Sequence, residues 1–169
     1  MSFKFVDFPE NSKTKSKVQK NENPYKKYII EWNAKNRFKL NRTPKIEIQV
    51  DNSIKLTNAY PVLIRNNYSD TIQIGYGGRI PLILEAKDKS GKWKPIQDRF
   101  VFMCGNGVES ELLPPKEIAM TLVPIFKGKY KTQLRLKLGE NKSNPFWGNI
   151  SYSQFESKYD KNGNYKKIL

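Results

Sequence analysis

The chain has 169 residues, of which 31 are Lys or Arg and 16 are Asp or Glu, and its net charge is +15. This length suits one domain with its own hydrophobic core. The sequence contains no histidine, which excludes Ser-His and Cys-His catalytic pairs, a histidine general base and imidazole metal ligands. Cys104 is the only cysteine, so an intrachain disulfide is also excluded.

The positive charge lies mainly near the two ends of the chain. Residues 1–45 carry 12 Lys or Arg and 4 Asp or Glu, residues 46–156 carry 15 and 11, and residues 157–169 carry 4 and 1. Lysine supplies 25 of the 31 cations, whereas arginine is the residue that reads base edges with a bidentate fork. The composition therefore argues against sequence-specific recognition of nucleic acid.

Residues 1–45 are interpreted as a basic N-terminal extension. Its first aromatic residues, Phe3, Phe5 and Phe8, indicate a strand at the edge of a sheet. Asn23 and Pro24 suit the start of a helix, and apolar residues at helical spacing then predict a short helix over residues 24–36. A strand is the alternative for that segment. No stretch of 18 apolar residues is present, so we expect no transmembrane segment.

The period of the apolar residues changes to two from residue 44, which is the period of a β-strand. Turn residues separate the runs at intervals near ten residues, a spacing typical of an all-β sandwich or barrel. We predict an all-β domain over residues 46–156, followed by a polar flexible tail over 157–169. The predicted strands are "KIEIQV", "SIKLTN", "PVLIRN", "TIQIGY", "PLILEAKD", "WKPI" and "RFVFM", with two more in residues 117–138.

The stretch "LPPKEIAMTLVPIFKGKYKTQLRLKLG", residues 113–139, contains those two runs. Pro114 and Pro115 have no backbone N–H to donate and therefore end the hydrogen-bond ladder of the preceding strand. In the first run Ile118, Met120 and Leu122 share one face. In the second run alternate residues from position 130 to 138 form the inner face. The outer face carries four cations on or beside the strand: Lys129, Lys131, Arg135 and Lys137.

Gly128-x-Tyr130 at the start of a strand resembles the tyrosine corner of immunoglobulin-like domains, in which a buried phenol bonds to nearby backbone. The wider pattern "LPPKE…TLVPIFKGKYKTQLRL" resembles bacterial immunoglobulin-like domains and intracellular proteinase inhibitors of the bacillus type. "WKPI", "CGNG" and "LPPKE" in this order are similar to a group of uncharacterised small Bacteroidetes proteins. These resemblances cover residues 46–150 and imply an antiparallel immunoglobulin-like β-sandwich. They assign no functional residue.

The sequence predicts no catalytic residue, no metal site and no cofactor, and we expect the protein not to be an enzyme. Cys104 in "FMCGNG" is interpreted as a thiol at a strand end. Glu109, Glu111 and Glu117 could pair as acids or bind calcium, but they are interpreted as solvated loop residues.

Two surfaces remain as candidate binding sites. The loops "GYGGR" and "CGNGVESE" hold glycines that allow close approach of a partner's backbone, or that simply form tight turns. Their candidate residues are Tyr76, Arg79, Asn106, Val108 and Glu109. The second surface is the basic outer face around Lys129, Lys131, Arg135 and Lys137.

The favoured hypothesis is a non-enzymatic protein-binding module, such as an adaptor, inhibitor or immunity protein, that acts through end loops or an edge strand. The alternative is a basic protein that binds nucleic acid or an anionic surface through residues 1–45. The compartment stays open between the cytoplasm and, if a signal peptide was removed, the cell envelope or exterior.

Overall fold

The structure is a computed structural model that describes residues 3–5, 45–97 and 109–156. The chain divides into two units, Met1–Phe8 with Pro44–Leu169 and Pro9–Thr43, and the described residues belong to the first. The predicted helix over residues 24–36, the strand "RFVFM" and the tail over 157–169 lie outside the described residues.

The described residues form eleven strands and one short 3-10 helix, which confirms the all-β class. In chain order the strands are β1 Phe3–Phe5, β2 Ile46–Val50, β3 Ala59–Asn66, β4 Ile72–Tyr76, β5 Ile83–Lys87, β6 Trp93–Pro95, β7 Ser110–Leu113, β8 Ile118–Pro124, β9 Tyr130–Leu138, β10 Asn141–Lys142 and β11 Phe146–Ile150. The 3-10 helix is Tyr152–Phe155.

The described residues form three sheets. A four-stranded sheet has the order β1-β8-β3-β2, and a five-stranded sheet has the order β10-β9-β5-β6 with β11 also paired to β9. Strands β4 and β7 form a separate antiparallel pair. β1 runs parallel to β8 at the edge of its sheet. The prediction of an edge strand is thus confirmed for residues 3–5. All other strand pairs are antiparallel.

The predicted strand "SIKLTN" is wrong. The Asp51 carboxylate accepts the backbone N–H of Ser53 at 3.0 Å, a local side-chain bond that favours a turn over a ladder. Thr57 then has a φ of 57°, a left-handed conformation that interrupts an extended chain. Only an isolated bridge between Leu56 and Ala59 forms in this part of the described chain.

One apolar cluster joins residues of all three sheets. The four-stranded sheet contributes residues such as Val62 and Ile64, the five-stranded sheet residues such as Leu84 and Leu136, and the β4–β7 pair Leu113. The alternation predicted for residues 130–138 is confirmed, because Thr132, Leu134, Leu136 and Leu138 are buried.

Strands β3 and β8, at the centre of the four-stranded sheet, are buried on both faces. Ala119 and Val123 of β8 join the central cluster, and Ile118 and Met120 alternate with them and therefore face the other way. Both residues are nonetheless fully buried, as is Leu63, which lies opposite Met120 on β3. The outer face of this sheet is therefore buried at its centre on β3 and β8, whereas the outer face of the five-stranded sheet carries exposed side chains.

Tyr130 ties two strands together rather than closing a local corner. Its ring is half-buried against the central cluster and makes an edge contact with Tyr152 at 5.2 Å between centroids. Its hydroxyl donates to the Lys87 carbonyl of β5 at 3.2 Å, and Thr132 donates to the same oxygen at 2.8 Å. A tyrosine corner would have the hydroxyl bonded to backbone nearby in the chain. Here the hydroxyl instead makes a hydrogen bond between two strands.

Asn144 joins β2 to the connection before β11. Its Oδ1 accepts the Val50 N–H at 2.9 Å and its Nδ2 donates to the Val50 carbonyl at 3.1 Å. The side-chain amide thus satisfies both backbone groups at the end of an edge strand, as a neighbouring strand would.

Candidate functional site

The loop predicted to contact a partner around Tyr76 and Arg79 is a tight hairpin turn. Tyr76 and Arg79 exchange backbone hydrogen bonds of 3.0 Å in both directions. Gly77 and Gly78 have φ values of 57° and 77°, the positive values that a two-residue type I′ turn requires. The glycines therefore form the turn, and the Tyr76 side chain is left 42% exposed beside it.

The acidic residues near this loop hold the turn in place. Glu111 is buried, and its Oε1 accepts the Gly78 N–H at 2.8 Å. The Glu109 carbonyl accepts the Gly77 N–H at 2.8 Å. The interpretation of Glu111 as a solvated loop residue was wrong. Its buried carboxylate accepts a backbone hydrogen bond of the turn that water would otherwise accept. Within residues 3–5, 45–97 and 109–156 no group of three acidic or cysteine side chains is arranged to hold a metal ion.

Asn106, Val108 and Cys104 lie outside the described residues. Their assignment to a partner-binding loop or a strand end stays a prediction.

The predicted basic surface lies on the outer face of the five-stranded sheet. Lys131, Arg135 and Lys137 alternate with the buried residues of β9 and so point away from the core. Lys129 is exposed just before β9 begins. Arg135 is bound to Glu85 of β5, with 2.7 Å between Nε and Oε2, and Lys137 lies 3.5 Å from the Glu140 carboxylate.

Two tryptophans that were not predicted as site residues share this face. Trp93 lies opposite Lys87 across β6 and β5, and Trp147 lies opposite Gln133 across β11 and β9. These two tryptophans lie on the strands that flank β5 and β9. Their backbones are thus separated by three strand spacings, about 14 Å.

Cations lie near the rings of both tryptophans. The Arg135 guanidinium carbon lies 4.2 Å from the Trp93 ring centroid and Lys87 Nζ lies 5.2 Å from it. Lys131 Nζ lies 5.9 Å from the Trp147 centroid. We call this surface the tryptophan–cation face, formed by Lys87, Trp93, Lys131, Arg135 and Trp147.

The two ends of the tryptophan–cation face differ in how firmly they are held. Trp93 is half-buried under Arg135, which the Glu85 carboxylate fixes. Trp147 is 57% exposed, and Lys131 beside it is exposed as well. The Trp147 end therefore offers a large apolar ring and a cation to solvent, and the Trp93 end is preorganised.

A sequence signal for Trp147 was available. In "FWGNI" the buried Phe146 and Ile150 and the partly buried Gly148 alternate with exposed Trp147 and Asn149. Period two alone therefore places the largest side chain outside.

The turn that carries Trp93 depends on Asp88. The Asp88 side chain is buried, and its Oδ1 accepts the backbone N–H groups of Ser90 and Lys92 at 2.8 and 3.0 Å. Its Oδ2 lies 2.7 Å from Lys94 Nζ. The Lys94 ammonium, the Ser90 hydroxyl and these backbone bonds hold the pKa of Asp88 well below its usual value of 3.8.

We expect Asp88 to make the stability of the fold sensitive to acid. Because its pKa is lower in the folded chain than in the unfolded chain, its contribution is present above pH 3.8 and is lost as the pH falls through the folded-state pKa. Asp88→Asn should be less stable at pH 7 and should lose less stability than the wild type between pH 5 and about pH 2. Urea denaturation at a series of pH values measures the free energy of unfolding of both proteins. If this free energy falls equally with pH in the wild type and in Asp88→Asn, the role assigned to Asp88 is contradicted.

No helix in the described part of the chain has the length and apolar character needed to cross a membrane. Comparison with protein-family models, with curated proteins and with solved structures found no match to this chain.

Proposed function

We propose that the described domain is an immunoglobulin-like β-sandwich that acts as a non-enzymatic protein-binding module. The strand order supports the fold: β2, β3 and β8 follow one another as strands A, B and E do, and β6, β5, β9 and β11 follow one another as C′, C, F and G do. The β4–β7 pair is an addition to that pattern.

The observation that carries the binding function is the exposure of Trp147 on the tryptophan–cation face. The outer face of the other large sheet is buried at its centre on β3 and β8, so this face is the more open of the two. Tryptophan and arginine are enriched among the residues that dominate binding energy, and lysine is depleted there. Trp147, with Trp93 and Arg135 already fixed on the same face, therefore suits the centre of a docking surface and the lysines suit its rim.

The partner surface should be acidic. The tryptophan–cation face carries three cations, and Lys129 and Lys137 flank it, against the two carboxylates of Glu85 and Glu140. Charges of this kind mainly raise association rates and select among partners, whereas the aromatic rings supply the affinity.

Site-specific photo-crosslinking in cells of the source organism tests the proposal. Trp147→p-benzoylphenylalanine should give one stoichiometric protein adduct, and the same probe at the exposed turn residue Asn52 should not. Trp147→Ala should then weaken binding of that protein by roughly 10- to 100-fold, equivalent to about 2 kcal/mol.

Tyr76→Ala is the matched control for the loop prediction. A loss of affinity in Tyr76→Ala with normal affinity in Trp147→Ala would move the docking site to the β4–β7 turn. Adducts that disappear on nuclease treatment would instead support the alternative, a nucleic-acid binder, whose affinity should fall steeply with salt.

A further inference from the structure

The edge strands of the described domain differ in how they are protected against pairing with another chain. Natural proteins guard open edges with lysine, proline, bulges or other charges. β1 contains Lys4, β2 contains Glu47, β6 contains Lys94 and Pro95, and β10 contains Lys142. β7 contains Glu111, and β4 has a register shift between Gln73 and Gly75.

β11 has none of these devices. Its sequence, "FWGNI", contains no charged residue and no proline, and its pairing with β9 continues without a register shift over five residues. Among the edge strands that the structure describes, β11 is therefore the one without protection.

The outward edge of β11 pairs with no other strand among the described residues. β9 is its only partner strand among residues 3–5, 45–97 and 109–156, and the side chains of Trp147 and Asn149 are exposed. In an antiparallel pair alternate residues direct their backbone N–H and C=O groups away from the partner strand. Five residues give an open edge of about 17 Å, enough for four or five residues of an added strand.

The surroundings of β11 select the chemistry of that added strand. Its side chains would lie one strand spacing, about 4.8 Å, from Trp147 and Asn149. Lys131 lies opposite Asn149 on the next strand inward, within reach of a long acidic side chain. Trp147 offers an apolar surface between these polar positions. A second copy of this chain would bring another net charge of +15, which opposes self-pairing.

We propose that β11 is a strand-addition site for an extended acidic segment of another protein, in which carboxylate side chains alternate with apolar or aromatic ones. This inference rests on the proposed protein-binding function and narrows it to one edge and one partner chemistry. Backbone hydrogen bonds to β11 add to the affinity that the Trp147 ring supplies, and Lys131 adds selectivity for acidic side chains.

A displayed library of random twelve-residue peptides, panned against the full chain, provides the probe. Enriched peptides should be acidic, should alternate charged with apolar residues and should lack proline in their centre. The best peptide is then synthesised in two forms that carry N-methyl groups on alternate backbone amides, one form in each register. Only the form whose methyl groups face β11 should lose affinity, by more than tenfold, because side-chain contacts are the same in both.

The position of the peptide is read from amide chemical shifts of the isotope-labelled chain, which should change most along β11. Equal affinity of the two methylated forms would overturn strand addition while leaving side-chain docking on the tryptophan–cation face intact. A library that yields no acidic extended peptide would also overturn the inference, and the crosslink at position 147 would still decide the proposed function separately. A dimer in sedimentation equilibrium that Asn149→Pro disperses would show that β11 pairs with a second copy, which is the opposite of the inference.

Discussion

Replacing Gly128 with alanine is expected to destabilise the fold by about 3 kcal/mol, at the upper end of the cost of overpacking. A Cβ atom at this position would overlap the carbonyl carbon and oxygen of Ile150 and the backbone nitrogen of Ser151. These are backbone atoms at the end of β11 and cannot rotate away as a side chain can. Urea denaturation followed by tryptophan fluorescence measures the loss.

Two other glycines serve as controls for Gly128. Gly148→Ala would meet only the Leu134 side chain, which can move, so its cost should be smaller. Gly139 has a φ of 57° and open space around its Cα, so Gly139→Ala should cost only the conformational strain of about 1 kcal/mol. Equal losses in the three variants would show that contact with backbone is not what fixes glycine at position 128.

The second large effect is expected at Asn66, which is fully buried at the end of β3. Its Nδ2 donates to the carbonyls of Asp70 and Leu113 at 2.8 and 2.9 Å, and its Oδ1 accepts the Tyr68 N–H at 2.8 Å. Asn66→Ala removes three hydrogen bonds and leaves the Leu113 carbonyl buried without this donor, which should cost about 3 kcal/mol at roughly 1 kcal/mol for each bond. Thermal and urea denaturation measure this cost.

Two variants test this account of Asn66. One changes its hydrogen bonds at nearly constant volume, and the other is a control at an exposed asparagine. Asn66→Asp keeps the acceptor for Tyr68 but turns a second oxygen toward two carbonyls, so its folded-state pKa should rise and its stability deficit should shrink as the pH falls. Asn58→Ala, at an exposed position before β3, should change the free energy of unfolding by less than about 0.5 kcal/mol. A deficit of Asn66→Asp that stays constant with pH would contradict this account.

The alternating segments of the sequence predicted most of the described strands, because burial on one face leaves a period of two. The failures have local causes. "SIKLTN" alternates like a strand, but the Asp51 side chain and the left-handed Thr57 make it a turn. The two-sided burial of β8 was visible only as the apolar run "IAMTLV", a pattern that a strand inside a closed sheet shares with other buried segments.

The candidate site was predicted only in part. Period two placed Lys131, Arg135 and Lys137 on one outer face, which the structure confirms. The contribution of Trp93 and Trp147 depends on which strands become neighbours, and strand order is not encoded in the periodicity of any single strand. The buried role of Glu111 is similar, because its partner Gly78 lies 33 positions away in the sequence.

The amide of Asn144 has a consequence for the synthesis of the protein. It bonds to Val50, 94 positions earlier in the chain, and β9 and β11 of the second sheet are made only after β8. A nascent chain therefore cannot complete this domain until residue 150 has left the ribosome. Until then the apolar side of β2 and β3, with Ile48, Val62 and Ile64, lacks β9 and β11 of the facing sheet. The growing polypeptide should be a substrate for chaperones over most of its translation.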